Sequence, residues 1–95
     1  MLKVVAKGFF YEEKVDQALK LYEELVRETQ KEVGCISYNL YQDVNDRSIL
    51  TVLEEWENVE CLENHIKTEH FSRIVPEISK LRISAEINKY KLMIW

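Results

Sequence analysis

The stretch CISYNLYQDVNDRSILTVLEEW, residues 35–56, decides the fold. Residues 35–43 and 49–56 are both rich in β-branched and aromatic side chains, which suit a pleated, half-buried surface. Between them lie Asn45 and Asp46, residue types that favour turns by bonding to nearby backbone. The spacing predicts a hairpin of two strands with a connection of four or five residues. Neither strand has one apolar and one polar face. Ile36, Tyr38 and Leu40 alternate with Cys35, Ser37, Asn39 and Tyr41, while Ile49, Thr51 and Leu53 alternate with Leu50, Val52 and Trp56. A sheet with bulky groups on both sides needs cover on both sides.

Working outward, residues 2–10 (LKVVAKGFF) read as another strand. Residues 12–33 read as a helix with Val15, Leu19, Tyr22, Val26 and Val33 on one face, and Ala18, Leu25 and Thr29 beside it. Gly34 follows as the residue that closes such a helix at positive φ. On the other side of the hairpin, Asn58 is placed to cap a helix over 59–67. Thr68 is placed to cap a further helix striped by Phe71, Ile74, Val75, Ile78 and Leu81. Pro76 is expected to kink or restart that helix. Residues 86–94 (EINKYKLMI) read as the last strand. The order is β-α-β-β-α-β, an α+β, ferredoxin-like arrangement of a four-stranded antiparallel sheet with its helices on one face. The other face calls for a partner, and a second copy packing sheet to sheet would give a homodimer enclosing an α/β barrel.

The chain of 95 residues is long enough for one domain, 1–95, with one modest core. A net charge of −4 and scattered Lys and Arg argue against a nucleic-acid partner. No apolar run approaches the ~20 residues that cross a bilayer, so no membrane partner is expected. The opening residues lack the pattern of a secretory leader, and a cytoplasmic location is expected. The two cysteines, Cys35 and Cys61, form no CxxC and read as small half-buried hydrophobes.

Gly34-Cys35-Ile36-Ser37-Tyr38-Asn39-Leu40-Tyr41-Gln42-Asp43 resembles the segment after the first helix in antibiotic biosynthesis monooxygenase (ABM) domains. Leu53-Glu54-Glu55-Trp56-Glu57 is similar to their third strand, and Leu62-Glu63-Asn64-His65 with Glu69-His70-Phe71 to the stretch that follows. The resemblance spans nearly the whole chain. It implies a dimeric α/β barrel with a pocket between sheet and helices. It also implies an oxidation of a small hydroquinone or polyphenol by O₂, with no metal and no cofactor. Relatives that degrade haem use an Asn, a Trp and a His where this chain has Lys7, His65 and, roughly, Val75, so haem is not expected as a substrate.

His65 is the expected catalytic base, since an imidazole exchanges protons near neutrality. By helical spacing it lies between Leu62 and Ile66 and faces the third strand. Trp56 and Phe71 are expected as aromatic walls of a substrate pocket, and His70 as a neighbour at the start of the next helix. Asn39 and Tyr41 share one strand face and are expected to orient a substrate hydroxyl. Two histidines five residues apart do not share a helical face, and no metal site is expected. Glu54 and Glu55 point to opposite faces, one toward solvent and the other buried. The alternative functions are a non-redox isomerase of a small carbonyl compound, using the same base, and a non-catalytic small-molecule-binding dimer.

Overall fold

A computed structural model describes residues 1–94. Strand β1 (Leu2–Phe10) leads through a single 3₁₀ turn (Glu12–Lys14) into helix α1 (Val15–Thr29). The hairpin β2 (Cys35–Gln42) and β3 (Ile49–Trp56) follows, then helices α2 (Val59–Ile66) and α3 (Glu69–Ser79), and strand β4 (Arg82–Lys91). All pairings are antiparallel, in the order β2-β3-β1-β4. The fold is therefore the α+β, ferredoxin-like one expected, with three helices on one face of the sheet. No helix among the described residues is long and apolar enough to cross a membrane.

The core forms where the helices meet the sheet. From the strands come Val4, Phe10, Tyr38, Leu50, Val52 and Trp56, all buried. Helix α1 supplies Val15, Ala18, Tyr22, Leu25 and Thr29, and α3 supplies Ile74 and Ile78. These positions recur at three- and four-residue steps, so each helix puts one stripe against the sheet. Both expected caps form. Asn58 Oδ1 accepts the Cys61 N–H at 2.9 Å, and Thr68 Oγ1 accepts the Phe71 N–H at 3.3 Å. The Thr68 hydroxyl also donates to the His65 carbonyl at 2.8 Å, which fixes the corner between α2 and α3.

The structure corrects the expected boundaries in three places. Helix α1 ends at Thr29 rather than at residue 33. Its last turn tightens through Lys31 N–H to Glu28 O and Glu32 N–H to Thr29 O, and the Gln30 side chain ties it to the Tyr38 carbonyl at 2.9 Å. Val33, expected on the buried stripe, is thus 90% exposed. Gly34 does adopt positive φ (82°), but as the entry to β2 rather than as the helix cap. Pro76 neither restarts nor ends α3, which runs through it. The carbonyl that loses its bond to the missing N–H belongs to Ser72, and both residues are exposed, so water satisfies it. Strand β4 begins at Arg82, four residues before the expected start, and continues to Lys91.

β4 differs from its neighbours. Val4 pairs with Lys89, and Ala6 with Ile87, so these β4 side chains share the helix-facing side of the sheet. Yet every residue from Ile83 to Lys91 is exposed. The helices cover β2, β3 and β1 and leave β4 bare on both faces.

Candidate functional site

A cavity of about 300 Å³ lies between the sheet and the helices. Val4, Ala6 and Val52 form its floor, while Leu62, Ile66, Phe71, Val75 and Ile78 form its roof. Into this apolar space project a few polar groups: Tyr22, Tyr38, Glu54 and His65, with Arg82 and Lys89 on the β4 side. A concave apolar pocket with a small convergent polar set is the usual form of a small-molecule site.

His65 is held on every side. It is 2% exposed. Its ring lies 4.8 Å from that of Trp56, 5.5 Å from Tyr38 and 5.0 Å, edge-on, from Phe71. Its Nδ1 is 2.8 Å from Glu32 Oε2, and His70 Nε2 is 2.7 Å from the same oxygen. A carboxylate only accepts, so both imidazoles donate to it. That assigns the proton of a neutral His65 to Nδ1 and leaves Nε2 as the basic nitrogen. Burial lowers the His65 pKa, against the opposing pull of Glu32. A neutral imidazole is thus available as a base near pH 7.

Glu54 is the second buried titratable group of the cavity. It is 6% exposed, and Trp56 Nε1–H donates to its Oε1 at 2.9 Å. Burial outweighs that bond and pushes its carboxyl up to about 7. Burial also raises the phenols of Tyr38 and Tyr22, so both remain hydroxyl donors; Arg82 beside Tyr22 pulls the other way. Burial pushes the Cys35 thiol up to about 11, far from a reactive thiolate.

Glu32, His65 and His70 have ligand atoms within 4.8 Å of one another, and two imidazoles with a carboxylate are a donor set that suits zinc. Here the three satisfy one another by hydrogen bonds.

A family model described as antibiotic biosynthesis monooxygenase matches residues 1–77. The chain belongs to this family. Among solved structures, a conserved protein from Methanosarcina mazei is 42% identical, with a TM-score of 0.92 over 95% of this chain and 90% of its own. An antibiotic biosynthesis monooxygenase is 36% identical, with a TM-score of 0.95 over 99% of this chain and all of its own. A curated relative, an uncharacterized protein of Synechocystis sp., is 30% identical over 84% of this chain. The chain spans about half (55%) of that relative's length.

In this ABM domain the residues singled out from sequence do not all gather. His65 and Phe71 line the cavity. Trp56 is fully buried behind them and acts on the cavity through Glu54 and His65 rather than as a wall. His70 stands one step back, on Glu32. Asn39 and Tyr41 lie elsewhere, which corrects their expected place in the pocket. Their shared face is the one turned away from the helices, and both are exposed. The Asn39 side chain instead accepts from Gln30 at 3.2 Å. Glu32, Tyr22 and Arg82 entered the site without being expected there.

Proposed function

We propose that this ABM domain, residues 1–95, is a cofactor-independent monooxygenase that oxidises a small hydroquinone or polyphenol with O₂. The observation that carries the reading is His65: a buried, neutral imidazole, oriented by Glu32, at the wall of an apolar cavity. Its Nε2 takes a phenolic proton, and the Nδ1–H bond to Glu32 stabilises the imidazolium that results. The phenolate passes one electron to O₂, giving a semiquinone and superoxide. These combine through a C–O bond to a hydroperoxide. Loss of water from the hydroperoxide, with a proton returned to the departing oxygen by His65 or neutral Glu54, leaves a new carbonyl. One oxygen atom enters the product and the other leaves as water, so a hydroquinone and O₂ give a hydroxyquinone and H₂O. The apolar walls keep bulk water from the anion and the radical pair.

The working unit is a homodimer. The helix-free face of the sheet and the bare strand β4 leave Tyr41, Ile83, Ile87 and Tyr90 at least half exposed, a burden that a second copy would relieve. A second reading, a non-redox isomerase, draws on the presence of two proton carriers, His65 and Glu54, in one cavity. It predicts solvent deuterium in the product with no oxygen consumed.

Oxygen uptake above the autoxidation blank, measured with metal-free and flavin-free protein on a panel of hydroquinones, tests the proposal. His65→Gln keeps the bulk and should lower the rate by about 10²–10⁴-fold. Uptake equal to the blank for every hydroquinone, or unchanged in the variant, would sink it.

A further inference from the structure

The cavity has two chemically different ends. At one stand His65, Tyr38 and Glu54, all near the Trp56 side of the sheet. At the other stands Arg82, paired with Phe10 at the start of β4; Lys89 also lines the cavity from the helix-facing side of β4, but toward the far end of the strand, in the same row as Val4 and Glu54. Arg82 is half-buried beside the Tyr22 phenol. The other three arginines, Arg27, Arg47 and Arg73, each sit in an ion pair. Arg82 and Lys89 have no carboxylate within salt-bridge distance among the described residues, although acidic residues outnumber basic ones, 17 to 13. A guanidinium turned into a cavity without a counter-ion, in an acidic protein, lacks the partner that such a position ordinarily has.

We propose that the substrate carries that partner: it is a small hydroxylated aromatic bearing a carboxylate, which Arg82 grips while the phenolic hydroxyl reaches His65. The inference rests on the proposed function for the hydroxyl end and adds the anionic end. A forked guanidinium matches a planar carboxylate in two parallel bonds, so Arg82 sets orientation as well as affinity. The ring between Arg82 and His65 meets Val4, Ala6, Leu62 and Val75. Anchoring the carboxylate at β4 turns the ring so that one hydroxyl, and not the other, meets the base.

The test uses redox-inert probes, so that binding is read apart from turnover. Calorimetric titration with 6-hydroxy-2-naphthoate and with 2-naphthol compares two ligands that differ by a carboxylate at the far end of the ring system from the hydroxyl. The expected result is about tenfold or greater preference for the naphthoate at low salt, shrinking as salt rises. Arg82→Gln should abolish that preference while leaving 2-naphthol affinity within about twofold. Arg82→Lys should retain part of it, and Lys89→Gln should reduce it less than Arg82→Gln does. Equal binding of the two probes, or a preference that survives Arg82→Gln, overturns the anionic end and leaves the proposed oxidation standing. Binding of neither probe also overturns the anionic end, while the oxidation is decided separately by oxygen uptake. Should Arg82→Gln fail to fold, Arg82→Lys decides: a preference unchanged in that variant overturns the inference.

Discussion

The histidine corner and strand β4 bound the same cavity and are built on opposite terms. The corner is closed. His65 is boxed by three aromatic rings, its carboxylate partner is shared with His70, and the Thr68 hydroxyl ties the turn between the two helices. β4 is open, with nine of its ten residues exposed and its two cavity-facing cations in no ion pair among the described residues. The difference divides the labour of a site. A base must be dry and fixed to hold its tautomer, and only a fully packed corner does that. A substrate must enter and leave, which requires an unpacked wall whose charges are free to receive it. In the single chain, damage at the corner should therefore cost stability and chemistry together, whereas damage at β4 should leave the fold nearly untouched.

The largest break in that contrast comes from Glu32. Glu32→Ala strands two imidazole N–H groups, one of them fully enclosed, and should cost about 2–4 kcal/mol of unfolding free energy in urea titration. Glu32→Gln keeps an accepting oxygen and should cost less than half as much. It should still lower oxygen uptake, because the imidazolium of His65 then loses its counter-charge. Equal stability of wild type and Glu32→Ala would show that the corner is not the clamp its geometry describes.

Glu54 sharpens the contrast through pH. Its carboxyl titrates near 7 in the folded chain, against 4.5 when unfolded. Between those values the folded state binds more protons than the unfolded state, so this group makes stability fall as pH rises from about 4.5 to about 7. Below that window Glu54→Gln should match wild type. At pH 8 it should be more stable by about 2–3 kcal/mol, the size set by a shift of this magnitude in a group largely shielded from solvent. Urea unfolding of both proteins at pH 4 and pH 8 measures the difference of differences, which removes every other titrating group. A constant gap across pH would mean that Glu54 is ionised and solvated at neutrality.

These residues show how far the sequence carries. Period-two and three-to-four-residue patterns gave β1, β2, β3 and α2 nearly to the residue, because burial against one shared core dictates both, but ran the first helix on to residue 33, four residues past its end at Thr29. The caps at Asn58 and Thr68 were readable because they act within three residues of themselves. His65 was readable for the same reason: helical spacing alone points it at β3. Glu32 was not, since its partner lies 33 residues away and the turn carrying it reads as helix. Alternation told that Asn39 and Tyr41 share a face but not which face receives helices, a fact fixed only by where α1 and α3 pack. Arg82 escaped because a strand that nothing covers carries no burial pattern to mark its start.

The smallest effect lies on β4 itself. Ile87 faces the cavity, yet is 62% exposed. If the chain stands alone, Ile87→Ser removes almost no buried surface, and unfolding should shift by no more than about 0.5 kcal/mol. In a homodimer whose second copy covers β4, the same change would strip apolar area from the interface and cost about 1–2 kcal/mol. The two cases also differ in form. A dimer-coupled unfolding midpoint rises with protein concentration, and the gap between wild type and variant widens where the dimer is populated. Urea midpoints of both proteins across a hundredfold range of concentration therefore read whether β4 is the permanently open wall of the cavity or an edge that closes when two copies meet. Concentration-independent midpoints with a gap under 0.5 kcal/mol would overturn the homodimer and leave β4 as an open doorway in the single chain.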